Sequence, residues 1–549
     1  VSKEAAAGRL VLVDVDYEQG PRETYLLPLQ IAGTQGESAR TLEGTPAILA
    51  HLQEPEGNFV LFDGIYDPRF RAALLGFVAL GEEARGMNGG TLRGVSGSTF
   101  DSLTEGRGRA NPLESRVIKV EQSNSSIAYE ERLFLKLYRK LEPGINPDAE
   151  LIRFLSENQR FPKVPPFGGA LEYHCSLADS SSLSSRSSEE VRVLGLFLGS
   201  VPNEGDAWAL ALRSLGRFFG QISGRRRPVA SGGPRRLGRL LFGKAARRRF
   251  RYAAVYPAPL FGPYNPSPSL EDLIGEAFPQ RVRQLARATG ELHLALAAAK
   301  QDPDFNPEPI TPAYQEALCQ GEIAFTRAVL QRLSQKLPEL QTSGLGNSCL
   351  ARQLAQRVLA LEDALIQRPR QLLQREIKAT LTRTHGDYHL GQVLDTGSDF
   401  VIIDFEGEPS RPLAERKLKR SPLRDVAGMI RSFHYAPHAA LAGNGTARAE
   451  PLGGSPIHRD PSQTAEDRGA VLEQWGDLWA RHVSRFFLDS YLERVAGASF
   501  LPDQPADLQL LLETFLLEKA VYEVYYELNN RPDWLPIPLR GLLEIAAKE

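Results

Sequence analysis

Two stretches near residue 390 hold the residue types from which a chemical site can be built. The first is Thr384-His385-Gly386-Asp387-Tyr388-His389-Leu390-Gly391-Gln392, and the second is Ile402-Ile403-Asp404-Phe405-Glu406. Together they offer carboxylates, two imidazoles and an amide. The apolar runs Gln392–Leu394 and Phe400–Ile403 flank Asp395-Thr396-Gly397-Ser398-Asp399, which predicts a hairpin with Asp387 near its entrance and Asp404 at its exit. Phosphoryl transfer uses such a set. One carboxylate orients and deprotonates the acceptor hydroxyl, and a second, with an amide oxygen, holds Mg²⁺ against the phosphates.

The spacing assigns roles. In the kinase pattern H-R-D, an Asn follows five places after the Asp. Here Gln392 stands at that offset from Asp387, and Asp404 opens Asp-Phe-Glu where D-F-G is usual. Asp387 is then the base, and Gln392 and Asp404 are the Mg²⁺ ligands. His385 and His389 are four apart without an intervening Glu, so they are not read as a metal pair. His385 fixes the loop, and His389 reaches substrate or braces it. At the nucleotide end Lys136 lies mid-strand between Leu135 and Leu137, and Glu150 on the following helix is its expected partner toward the α/β-phosphates of ATP. The loop Gln122–Ser126 lacks a Gly-rich pattern, but Ser123 and Ser125 are small enough for backbone N–H groups to approach phosphate. Gly199 and Val201, in the expected hinge toward adenine, and Asp206 beyond it are the remaining ATP-side candidates.

The elements that must position these residues follow from periodicity. Strands are expected over 9–31, at Val117–Val120, at Leu133–Tyr138 and at Val191–Leu198. Asp67-Pro68 opens a helix over 67–80, after which Gly86 to Ser98 breaks the pattern. Asn146-Pro147-Asp148 combines a capping side chain, a first-turn Pro and a first-turn acid. Helices are expected at Leu273–Ala298, Tyr314–Leu337, Leu350–Lys378 and Asp507–Leu528, the last closed by Asn529-Asn530 and Pro532. Serine-rich Ser180–Glu190, arginine-rich Ser223–Arg251 and Gly443–Arg459 read as loops. The reading is α+β: a small unit at 1–100, a β-rich nucleotide-binding unit at 101–205 and a helical unit at 206–549.

Composition excludes several classes. With 65 Lys and Arg against 67 Asp and Glu, a net charge of −2 gives no broad nucleic-acid footprint. The apolar stretch Ala72–Leu80 is too short to cross a bilayer. Cys175, Cys319 and Cys349 are too widely spaced for a disulfide framework or a zinc ribbon. The expectation is a cytoplasmic protein with no nucleic-acid or membrane partner.

Several blocks resemble maltokinase, most of all the maltokinase often fused to trehalose synthase. They are Leu135-Lys136-Leu137-Tyr138, Glu142 to Pro147, Val201 to Trp208, His385 to Leu394, Asp404 to Pro409, Ser421 to Gly428 and Tyr526 to Trp534. The resemblance runs from about residue 9 to 545. It implies a bilobal protein-kinase-like fold, as in aminoglycoside phosphotransferases, with an N-terminal cystatin-like α+β cap. It implies transfer of the γ-phosphate of ATP to the anomeric hydroxyl of maltose, with trehalose synthase as a fused or associated partner. By the same resemblance Asp425 braces the catalytic loop, and the sugar pocket lies by the closing helix. There Lys519, Glu523 and Tyr526 fall at i, i+4 and i+7, with Arg531 just beyond. The chain opens on Val1 and lacks the family's usual aromatic opening, which implies excision from a fusion or a shortened start. The rival readings are another hydroxyl kinase of the aminoglycoside-phosphotransferase type and a non-catalytic partner of trehalose synthase.

Overall fold

The computed structural model describes residues 8–34, 42, 45, 47–55, 57–107, 113–118, 124–176, 189–222, 268–299, 302–341, 346–442 and 465–546. The expected loops at 223–251 and 443–459, most of the serine-rich tract, and Ser123 lie outside these residues. The chain forms two compact units. One is Val1–Pro202 with Val401–Lys417; the other is Asn203–Phe400 with Leu418–Glu549.

The first unit holds two sheets. Strands β1 (Arg9–Val15), β2 (Glu23–Gly33), β3 (Ile48–Glu54) and β4 (Gly57–Asp63) run in the order β1-β2-β4-β3. Strands β5 (Glu83–Arg85), β6 (Thr91–Ser96), β7 (Ser115–Ile118), β8 (Ser125–Tyr129) and β9 (Leu133–Leu137) follow. Then come β10 (Lys140–Leu141), β11 (Phe167–Ser176) and β12 (Glu189–Gly199). The second sheet is ordered β5-β6-β11-β12-β9-β8-β7. The helix Pro68–Ala79 forms where the sequence indicates it: Asp67 caps it by accepting from the Arg69 N–H at 2.7 Å, and Pro68 needs no donor. Leu74 on this helix, and Leu26 and Phe62 on the first sheet, are fully buried, each worth about 1.5–3 kcal/mol.

Two features of this unit depart from the expected pattern. The Gly-rich stretch after Gly86 contains β6, which pairs with β11 from Gly169↔Ser96 to His174↔Thr91. Gly94 is required there, because a Cβ would lie 2.3 Å from the Phe77 carbonyl oxygen. In addition, β10 pairs with β2, and Arg139 Nη2 reaches Asp63 at 2.6 Å. The segments expected at 1–100 and 101–205 are thus hydrogen-bonded to each other.

The second unit is helical. Its main helices are Ala207–Ile222, Ala277–Ala297, Pro312–Lys336, Leu423–Leu441, Ala465–Arg494, Pro505–Asn530 and Pro536–Ala546. Trp479, Phe433, Phe487 and Tyr491 form its aromatic core, with Trp479 stacked on Phe278 at 5.4 Å. The single helix expected over Leu350–Lys378 is instead Gly346–Leu359 and Glu362–Arg370 followed by a short 3₁₀ turn. Leu361 leaves helical geometry at φ −111°, ψ 16°, and Pro369 cannot donate to the ladder. Among the described residues no helix is long and apolar enough to cross a membrane.

Candidate active site

In the first unit the sheet and a helix start bring one lysine among three carboxylates. Lys136 sits in β9, paired with Leu196 of β12 and Ser126 of β8, so its backbone is fixed from both sides. Its Nζ donates to Asp148 Oδ2 at 3.0 Å, contacts Asp404, and lies 2.5 Å from Glu406 Oε1. Burial works against the ammonium, but the three carboxylates outweigh it and hold Lys136 charged well above its ordinary range. Burial raises Glu406. Asp404, two residues past the strand Phe400–Ile402, adopts φ 67°, a left-handed conformation that a short polar residue tolerates.

The lysine's helix partner is Asp148, a correction to the expected Glu150. Asp148 is the second residue of the helix Pro147–Arg153, which Asn146 caps at 2.8 Å. Its Oδ2 receives Lys136 and its Oδ1 receives the Phe405 N–H at 2.8 Å. Glu150, two residues on, points to a different side of the turn and pairs with Lys417 at 2.7 Å. The end of the expected phosphate loop does reach this cluster, since Asn124 Nδ2 donates to Glu406 Oε1 at 2.9 Å. Ser125 instead accepts from Arg139 Nε at 2.7 Å. At the expected hinge, the Gly199 N–H goes to Pro166 and the Ser200 N–H to Arg132, each at 2.8 Å, so Gly199 has no amide for a base. Val201 follows β12 and is half-buried.

One oxygen each of Asp148, Asp404 and Glu406 lies within 4.8 Å of the others. Three hard oxygen donors with one ammonium leave an excess of negative charge, which suits Mg²⁺. The residues present therefore fit that ion.

In the second unit the loop before Gln392 carries Asp387. Lys519, from the helix Pro505–Asn530, donates to its Oδ1 at 3.0 Å. Burial alone would raise the Asp387 pKa, but the Lys519 ammonium and the nearby imidazoles outweigh it and bring it down to about 2. Gly386 supplies the turn at φ 86°. His385 is buried, and its Nδ1 faces the Asp387 N–H at 3.4 Å. Asp425 accepts from the N–H groups of His385 (2.8 Å) and Gly386 (3.0 Å). His389 caps the 3₁₀ turn Leu390–Gln392, accepting from the Gly391 N–H at 3.1 Å, and Gln392 is held by its own N–H on the His389 carbonyl at 2.9 Å. The expected hairpin forms from Val393–Asp395 and Phe400–Ile402. Asp206 is a helix cap, bonding the Ala209 N–H at 2.7 Å, and not a free ligand group.

The closing helix presents a row of paired charges and rings. Lys519 lies over the Tyr522 ring at 4.8 Å, and Tyr522 stacks on Tyr526. Glu523 is buried and taken in a bidentate grip by Arg431, so the structure gives it a structural partner where a sugar contact was expected. Arg531 bonds Glu527 at 2.8 and 3.0 Å and lies over both Tyr526 and Trp534. Tyr526 is exposed. Sequence reasoning missed Asp148, Glu406, Asn124 and Arg431. Asn124 lay in the expected phosphate loop, Asp148 in the Asn146-Pro147 helix start and Glu406 two residues after Asp404, while Arg431 had no positional signal.

No family model matches the chain. It is similar to the glucosamine kinase of Streptacidiphilus jiangxiensis, 25% identical over 168 residues (30% of this chain, 32% of the relative). It is also similar to that of Mycolicibacterium smegmatis (strain ATCC 700084 / mc(2)155), 29% identical over 155 residues (28% and 32%). These matches thus span about a third of each curated relative's length. Among solved structures, a glucosamine kinase in complex with glucosamine, ADP and inorganic phosphate has a TM-score of 0.52 at 18% identity, covering 99% of this chain and 95% of that one. A second crystal form gives 0.51. The fold is therefore α+β and kinase-like.

Proposed function

We propose that the protein is an ATP-dependent sugar kinase that transfers a phosphoryl group to a hydroxyl of maltose. The observation that carries the kinase reading is the pairing of Asp387 with Lys519: an ionised, half-buried carboxylate on a braced loop, suited to receive a hydroxyl proton. Lys136 supports it by supplying a fixed cation for nucleotide phosphates. Asp148, Asp404 and Glu406 would hold Mg²⁺, which when bound neutralises charge on the transferred group. The resemblance adds Gln392 as an amide ligand, and His389, Tyr526 and Arg531 as sugar-side residues.

The choice of acceptor rests on the closing helix. An amino sugar needs an unneutralised carboxylate for its ammonium. Here Glu513, Glu518, Glu523 and Glu527 are each ion-paired, with Arg368, Arg424, Arg431 and Arg531. The stacked pair Tyr522–Tyr526 and Trp534 offer ring faces for the C–H surface of a neutral disaccharide. Glucosamine is the second reading, favoured by the names of the relatives. Incubation with Mg-ATP and, separately, maltose, glucosamine, glucose and kanamycin tests both. Maltose 1-phosphate as the dominant product is expected. Preference for glucosamine would overturn the acceptor and keep the kinase, and turnover of none of these sugars would overturn the kinase.

A further inference from the structure

The loop from Thr384 to His389 has no helix or strand of its own, so its shape must come from what it is tied to. Part of that support comes from the helix Ala277–Ala297, nearly a hundred residues earlier. Thr289 Oγ1 lies 2.9 Å from the Tyr388 hydroxyl. One turn on, His293 is fully buried, with Nε2 3.1 Å from Asp425 Oδ2 and Nδ1 2.9 Å from the Tyr491 hydroxyl. Asp425 passes the connection on: Oδ2 also accepts the His385 N–H and Oδ1 accepts the Gly386 N–H. These are the two amides immediately before Asp387. Burial opposes charge on Asp425, but its hydrogen bonds to His293 and to the Gly386 N–H bring it below the usual carboxylate range.

The order of donors follows from chemistry. An ionised carboxylate only accepts, so His293 Nε2 carries the hydrogen, and Nδ1 is left to bond the Tyr491 hydroxyl. Tyr491, His293, Asp425 and the loop amides thus form a continuous chain of hydrogen bonds. Gly428 keeps the opposite side close, since a Cβ there would lie 2.5 Å from the Tyr388 carbonyl oxygen.

We propose that His293 is a positioning residue for phosphoryl transfer, fixing the rotation of the Asp425 carboxylate and through it the placement of Asp387. This rests on the reading of Asp387 as the base. His293 does not touch substrate, and its effect falls on kcat.

The test compares the full-length parent with His293→Met, His293→Gln and Tyr491→Phe. It reads kcat, both KM values, and hydrogen exchange at the His385 and Gly386 amides. His293→Met is expected to lower kcat on the order of 100-fold and to speed exchange at those two amides. The KM values should stay within about twofold. His293→Gln, whose amide can still donate to Asp425, should recover most of the rate and of the protection. Tyr491→Phe should lower kcat by only about threefold while changing the ¹⁵N tautomer signature of His293. Unchanged exchange at the two amides, or a Gln variant no better than Met, overturns the proposal. If His293→Met fails to fold, the Gln and Phe variants decide by the same exchange readout. Absence of sugar kinase activity in the parent would sink the kinase reading alone, because exchange reports positioning without turnover.

Discussion

Lys136 is buried and Asp387 half-buried, each with a partner at 3.0 Å, yet their surroundings differ in balance. Around Lys136 three carboxylates outnumber one ammonium. Around Asp387 a single carboxylate meets one ammonium, with the imidazoles of His385 and His389 nearby. The first arrangement is incomplete without further positive charge and suits a divalent ion with a nucleotide. The second needs no further positive charge and suits an uncharged hydroxyl, which must compete with Lys519 for the carboxylate. On the proposed function, similar local geometry would serve two tasks, and the count of charges separates them.

Removing the key group of the balanced pair should have the largest effect. Asp387→Ala is expected to lower turnover by about 10²–10⁴-fold while leaving ATP affinity unchanged; near-parental turnover would remove the base assignment. On the crowded side, Asp148→Asn takes one charge from Lys136. It should lower the unfolding free energy by about 1.5–3 kcal/mol, read from urea midpoints. Next comes pH. Asp387 is held at about 2, below its ordinary value, so its contribution is present above about pH 4 and is lost as pH falls toward 2. Lys519→Met should move the acid limb of the rate profile upward, to about pH 4 or above; an unmoved limb would show that Lys519 does not set that pKa. The smallest effect belongs to Glu150→Gln, at most about 1 kcal/mol. If it matched Asp148→Asn, the assignment of the lysine's partner would be wrong.

The site was legible where chemistry and short-range spacing coincide. His385 to Gln392, the Asn146-Pro147 helix start and the closing helix all carry local signals. Choosing between Asp148 and Glu150 required knowing which side of one helical turn faces β9, and two residues on the same turn look alike in sequence. β6 was hidden because its Gly94 serves a close approach to Phe77, a contact that only the folded chain creates. His293 carried no signal, because its partners Asp425 and Tyr491 lie far along the chain. Glu523 reads as ligand-facing from its place on a helix face, and its Arg431 partner is seen only in the folded chain.

The segment Val401–Lys417 belongs to the first unit although it is encoded within the second. A gene fragment stopping at Pro202 would therefore omit Asp404 and Glu406 and leave Lys136 with Asp148 as its remaining carboxylate from the cluster. Splitting this protein for expression or complementation requires carrying residues 401–417 across with the first half, for instance through a linker after residue 202. Otherwise the fragment would be made without two of the acids that offset its buried lysine.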